Sequence, residues 1–129
     1  MARRKSPTYT EVELEFMHIV WEKGEVSTED MQNTLGERGR ELSDGSIRKI
    51  LSILLTKGHL VRRRNGRSYY YRPKVEKDQA QLNMVQDLLN RAFHGSVSLM
   101  VASLFNSRDI DGEEIREVKK MIKEYENEH

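Results

Sequence analysis

Residues 43–73 read SDGSIRKILSILLTKGHLVRRRNGRSYYYRP, an amphipathic helix signal that runs directly into a basic ribbon. Ser43 stands at the N-cap position with Leu42 and Ile47 spaced as a hydrophobic staple, and Lys57-Gly58 supplies the stop. Ile47, Ile50, Leu51 and Leu54 form the apolar stripe, leaving Gly45, Ser46, Arg48, Lys49 and Ser52 on the opposite face. Next, LVRRR and RSYYYR flank Asn65-Gly66, a pair that tolerates the positive φ angles of a tight hairpin. The pattern predicts antiparallel strands over about 60–64 and 67–72, ended by Pro73. A two-residue turn at Asn65-Gly66 would put Leu60, Arg62, Arg64, Arg67, Tyr69 and Tyr71 on one face. Val61, Arg63, Ser68, Tyr70 and Arg72 would share the other. A two-stranded ribbon is marginal alone, so it must lean on helices.

Two such helices precede it. Thr10 and Glu13 have capping-box spacing, Tyr9 and Leu14 suit a staple, and Gly24 follows the last apolar residues. Val12, Phe16, Ile19 and Val20, with Leu14, Met17 and Trp21, recur at helical spacing. Ser27 and Asp30 repeat the capping logic ahead of Met31 and Leu35. Beyond the ribbon the pattern is helical throughout. One stripe holds Leu82, Val85, Leu88, Leu89, Ala92 and Phe93 and is broken by Gly95, and a second holds Val97, Met100, Val101, Leu104 and Phe105. A third, capped by Asp111 with Glu114 three residues on, holds Ile115, Val118, Ile122 and Tyr125. Three helices of this length contain too little core to stand alone. A second copy of the chain would cover their stripes, which favours a dimer interface over a purely intrachain core.

Length and composition narrow the function. At 129 residues, 33% charged and 36% hydrophobic, the chain suits one domain, or one small domain plus an appendage. The absence of any apolar run of about 18 residues excludes a helical membrane span. MARRKSPTYT has a basic start with no apolar stretch behind it, so no signal peptide is expected. With no cysteine, disulfides and thiolate metal sites are excluded, consistent with a cytoplasmic protein. His18, His59, His94 and His129 lie too far apart in sequence to suggest a metal set or a triad, and His18 reads as a partly buried structural residue. Neither a glycine-rich phosphate loop nor an activated nucleophile appears, so no enzyme activity, cofactor or metal is expected. The net charge of +1 conceals an asymmetry. Residues 57–77 carry eight Lys or Arg against one Glu, for +7, whereas residues 111–129 carry seven acids against four bases, for −3. A polyanion would be drawn to one small surface.

Three short helices followed by a basic ribbon describe a winged helix-turn-helix, in which one helix fits the DNA major groove and the wing beside it holds phosphates. The fold class expected is therefore mainly α with a small β hairpin. A winged-helix domain would span residues 1–75 and a helical dimerisation domain 76–129. The bland alternative for the ribbon is a solvated surface hairpin, and the preceding helices weigh against it. The tyrosine triplet reads as packing of the ribbon stem rather than as a base-stacking platform, which leaves single-strand or RNA binding as a minor reading. A second class of function is a protein–protein interaction module on a winged-helix scaffold without specific DNA binding.

HIVWEKGEVSTEDM, SIRKILSILLTKGHLVRRRNGRSYYYRP and GSVSLMVASLFNSRDIDGEEIREVKKMI resemble the penicillinase and methicillin-resistance repressor family (BlaI, MecI and CopY type) from about Thr10 to Tyr125. The resemblance implies a homodimeric bacterial transcriptional repressor on a palindromic double-stranded DNA operator, with the helix after Ser43 in the major groove. On this view Ser46, Arg48, Lys49 and Ser52, beside Gly45, meet base edges or phosphates. Arg62, Arg63, Arg64 and Arg67 grip phosphates, and Thr28 reaches a phosphate at a helix N-terminus. Leu82, Val85, Leu89, Phe93, Val97, Met100, Val101, Leu104, Phe105, Ile115, Val118 and Ile122 would form the dimer interface. A regulatory protease is implied as a further partner. Three departures bear on this. Asp44-Gly45-Ser46 replaces the usual start of the recognition helix, which points to a different operator and sets Asp44 near repelling phosphates. Ser103-Leu104 stands where cleaved relatives carry Asn-Phe, which argues against induction by that cut. Without cysteines, thiolate copper sensing is excluded.

Overall fold

Helix α1 (Glu11–Lys23) begins where Thr10 and Glu13 exchange hydrogen bonds, each side chain accepting from the other's backbone N–H at 3.1 Å. The computed structural model describes residues 9–129; the segment before Tyr9, on which the signal-peptide expectation mostly rests, lies outside them. The elements that follow are β1 (Val26–Ser27), α2 (Thr28–Glu37), α3 (Asp44–Thr56), β2 (Leu60–Asn65), β3 (Ser68–Pro73), α4 (Lys77–Ala92), α5 (Val97–Ser107) and α6 (Gly112–Glu128). Ser27 and Asp30 complete a second capping box at α2, and the Ser43 hydroxyl accepts from the Ser46 N–H at α3. The mainly helical winged fold expected from the sequence is present, with three strands rather than two.

The third strand is β1. It pairs antiparallel with β3, so β3 is central in the order β1-β3-β2, with Val26 opposite Tyr71 and Ser27 opposite Tyr70. Two residues are too short for a period-two signal, and Ser27 already reads as a helix cap; the extended backbone of an N-cap residue serves both purposes. The ribbon also turns later than Asn65-Gly66. Asn65 pairs with Ser68, leaving Gly66-Arg67 as the two turn residues. Only Gly66 has a positive φ, +65°, the arrangement of a II′-type turn with glycine first. This shifts the register by two residues, so strand faces keep their parity: Arg62 opposes Tyr71, Arg64 opposes Tyr69, and Arg63 opposes Tyr70 on the other side. Arg67 leaves the ladder for the wing tip.

The chain divides into two compact units, with the break between Asp87 and Leu88. In the first unit Phe16, Met17, Ile19, Val20, Val26, Met31, Leu35, Ile47, Leu51 and Leu54 are fully buried, joined by Leu60 and Tyr71. Trp21 donates from Nε1 to the Val75 carbonyl, and Ala80 is buried, so the start of α4 belongs to this unit. His18 is exposed, contrary to expectation, because buried Phe16, Met17, Ile19 and Val20 take up the inward arc of α1 and leave it facing outward. The buried histidine is His59. Its ring lies 4.2 Å from that of Tyr9, near the Lys57–Glu13 ion pair (2.8 Å), and its Nε2 has no hydrogen-bond partner.

In the second unit α4 ends at a reversal in which His94 has φ +51° and Gly95 φ +79°, and the Gly95 N–H reaches back to the Leu89 carbonyl. Ser96 then caps α5 and Asp111 caps α6, the latter accepting from Glu113 N–H. None of the residues from Leu88 onward is buried. Val101, Leu104, Phe105, Ile110, Ile115 and Val118 line an apolar groove of about 200 Å³ along α5 and α6. Among the described residues no helix is long and apolar enough to cross a membrane, and no cluster of His, Cys, Asp or Glu is arranged for a metal.

Candidate nucleic-acid interface

Burial of Ile47, Leu51 and Leu54 against α1, α2 and β2 fixes which side of α3 meets solvent. Gly45, Ser46, Arg48, Lys49 and Ser52 are all exposed. Within the first turn the Ser43 hydroxyl donates to Ser46 Oγ at 2.9 Å while accepting from its N–H. Ser46 Oγ is thus already an acceptor, and its own hydrogen remains for an outside acceptor. Arg48 donates from Nε to Asp44 Oδ2 at 2.7 Å, one helical turn back.

Three elements converge beside this face. A depression of about 190 Å³ is lined by Ser27, Thr28, Glu29 and Gln32 from the start of α2, Asp44 and Arg48 from α3, and Arg67, Ser68 and Tyr69 from the wing. Thr28, Arg48 and Arg67, far apart in the chain, therefore border one concavity. The N-termini of α2 and α3 each bring a positive dipole end to this region. Ser27 and Ser43 fill one donor apiece, leaving other first-turn N–H groups without an intrahelical acceptor.

The wing arginines fall into two sets. The Arg62 guanidinium carbon sits 4.1 Å from the Tyr69 ring centroid and that of Arg64 5.8 Å from the same ring. Arg64 also donates to the Gly66 carbonyl at the turn. Tyr69 therefore carries two cations, while Tyr71 is buried as ribbon packing. Arg63 points the other way. It rests 5.1 Å from the Tyr70 ring and binds Glu25 through two hydrogen bonds, Nε at 3.0 Å and Nη2 at 2.8 Å. The hydrogen bond from Arg63, then its charge, hold the Glu25 carboxyl below the ordinary range, and Glu25 in turn pushes the Arg63 guanidinium up. Arg62, Arg64 and Arg67 make no ion pair among the described residues, whereas Arg63 is paired with Glu25. Glu25 and the cation-carrying role of Tyr69 are invisible in the sequence, since 38 residues separate Glu25 from Arg63 and only the pairing of β1 and β2 with the central β3 brings them together.

Known proteins share this arrangement of helices and wing. The family model described as penicillinase repressor matches residues 9–124. The chain is 27% identical to the penicillinase repressor of Bacillus licheniformis over 124 residues, 96% of each protein. It is 22% identical to the methicillin resistance regulatory protein MecI of Staphylococcus aureus strain Mu50 over 118 residues, 92% of this chain and 95% of that one. The solution structure of the DNA binding domain of the repressor BlaI superposes with a TM-score of 0.52 at 26% identity, covering 60% of this chain and 93% of that domain. A complex structure of hsRosR-SG gives 0.55 over 96% of this chain and 97% of its own at 13% identity, a likeness of fold alone.

Proposed function

Since the chain belongs to the penicillinase repressor family and is a DNA-binding transcriptional repressor rather than an enzyme, we propose that it acts as a homodimer on a palindromic operator. In this reading α3 lies in the major groove and presents Ser46, Arg48, Lys49 and Ser52 to base edges. Arg62, Arg64 and Arg67 hold phosphates from the wing, and Thr28 adds a contact at the start of α2. The observation that carries the reading is the shared concavity of Thr28, Arg48 and Arg67 beside an arginine-studded wing. Two copies related by a two-fold axis would place two α3 helices in successive major grooves, which is why a palindrome is expected. The apolar faces of α4, α5 and α6 provide the contact between copies, and the cytoplasm is where such a protein meets its operator. A regulatory protease stays part of the proposal only as a partner that does not need an Asn-Phe pair, because Ser103-Leu104 occupies that position.

The test is a mobility shift of the full chain with the duplex upstream of its own gene, titrated against random duplex over a range of salt. Preference for the upstream duplex with steeply salt-dependent affinity is the expected result. Equal affinity for both duplexes at every salt concentration would refute operator recognition. A salt-insensitive complex with another protein in place of DNA binding would favour an interaction module.

A further inference from the structure

We propose that Asp44 is a positioning residue that aims Arg48 at a guanine in the major groove and keeps it off the phosphates. This rests on the DNA-bound reading above and deepens it. Asp44 is the first residue of α3 and Arg48 lies one turn on, both exposed, while Ile47 and Leu51 are buried on the opposite side. The Arg48 side chain is 64% exposed and that of Asp44 56%. An exposed i,i+4 pair adds little to the stability of a helix. Ser43 already caps α3, so the pair is not needed to start the helix.

Its effect is directional. The Asp44 carboxylate takes Nε at 2.7 Å and leaves the two terminal nitrogens of Arg48 as a fork. That fork matches the O6 and N7 acceptors of guanine, the commonest specific arginine contact with DNA. The carboxylate also selects by charge. A phosphate drawn to Arg48 would meet a second anion within a few ångströms, whereas the neutral guanine edge would not. Phosphates find a better site along the wing than beside Asp44 and Glu29, because Arg62, Arg64 and Arg67 make no ion pair among the described residues. Asp44, a liability if α3 only gripped the backbone, becomes useful if Arg48 reads a base.

The test uses the full chain and duplexes that it enriches from a randomised pool. The enriched site should contain a guanine whose replacement by adenine weakens wild-type binding on the order of ten-fold. Arg48→Ala and Arg48→Lys should both lose that preference, since lysine has no fork. Asp44→Ala should erode the guanine preference while strengthening binding to random duplex and steepening its salt dependence; Asp44→Glu should restore part of the preference. A pair that only stabilised the helix would lower the melting midpoint of Asp44→Ala and weaken all sequences by one factor. That outcome overturns the inference, as does an Asp44→Ala preference profile identical to wild type. If the wild type enriches no sequence at all, operator recognition itself has failed, and the inference falls with it.

Discussion

Helices α3 and α5 are both rich in leucine, isoleucine, valine or methionine, yet they end in opposite conditions. In α3 the residues Ile47, Leu51 and Leu54 are fully buried by the rest of their own unit. In α5 no residue is buried, and Val97, Leu104 and Phe105 are 64%, 52% and 51% exposed. The difference is geometric rather than compositional. Around α3, two capped helices and a three-stranded sheet supply cover from several directions, whereas the neighbours of α5 within its own unit leave every one of its residues exposed or partly exposed. The first unit is a finished core that leaves a polar, basic face for a polyanion. The second has an apolar groove left in water, which the proposed pairing of two copies would cover.

Mutations should treat the two units differently. Leu51→Ala opens a cavity in a core complete within one chain, so it should destabilise the first unit by about 3 kcal/mol at any protein concentration. Chemical denaturation followed by Trp21 fluorescence measures this, and a concentration-dependent loss would blur the distinction. Phe105→Asp puts a charge into the groove of α5 and α6 and should weaken self-association on the order of a hundred-fold. Sedimentation should then show a monomer with intact helical content; an unchanged mass would remove α5 from the interface.

A smaller effect concerns the first unit alone. Burial, then the Lys57 charge, hold the His59 imidazole below its ordinary value of 6.5, against an opposing pull from Glu13. Burial pushes the Glu13 carboxyl up, but hydrogen bonds from Lys57 and the Thr10 N–H, then nearby positive charge, hold it below 4.5 on balance. Both folded-state values lie below their unfolded ones. Stability from neutral His59 is therefore complete above about pH 6.5 and lost as pH falls through its lowered folded value; that from ionised Glu13 follows at lower pH. Thermal melts should show wild type weakening between about pH 7 and 5, and His59→Phe holding level across that window. A wild-type midpoint flat over the same range would contradict this. The smallest contrast lies within the wing: Arg64→Ala should reduce the salt slope of DNA binding by about one. Arg63→Ala, whose guanidinium is already matched by Glu25, should change it by less. Equal slopes for both variants would show that the Glu25 pair opens on DNA.

What the sequence made legible was local. Capping boxes at Thr10 and Ser27 span three residues and were readable as they stand, and so were the apolar stripes that became the core. The family resemblance, carried by those stripes and the ribbon, was shown over residues 9–124. Features set by distant partners were not legible. Strand β1 exists because β3 is available to pair with Val26 and Ser27. The turn slipped to Gly66-Arg67 because a single positive φ at glycine suffices, sparing Asn65 that conformation. In sequence Arg63 is indistinguishable from the other wing arginines, because nothing near it betrays Glu25. Asp44 was visible at the right spacing, but its worth depends on what Arg48 faces.

The central claim is that one unit reads DNA and the other pairs two chains to do it. Its most direct test is the mass, by sedimentation or light scattering, of the full chain on a duplex that it has enriched from a random pool. The account predicts two chains per duplex, reduced to weak, one-chain binding by Phe105→Asp with the first unit still folded. A wild-type complex with one chain per duplex, at full affinity and unaffected by that substitution, would contradict it.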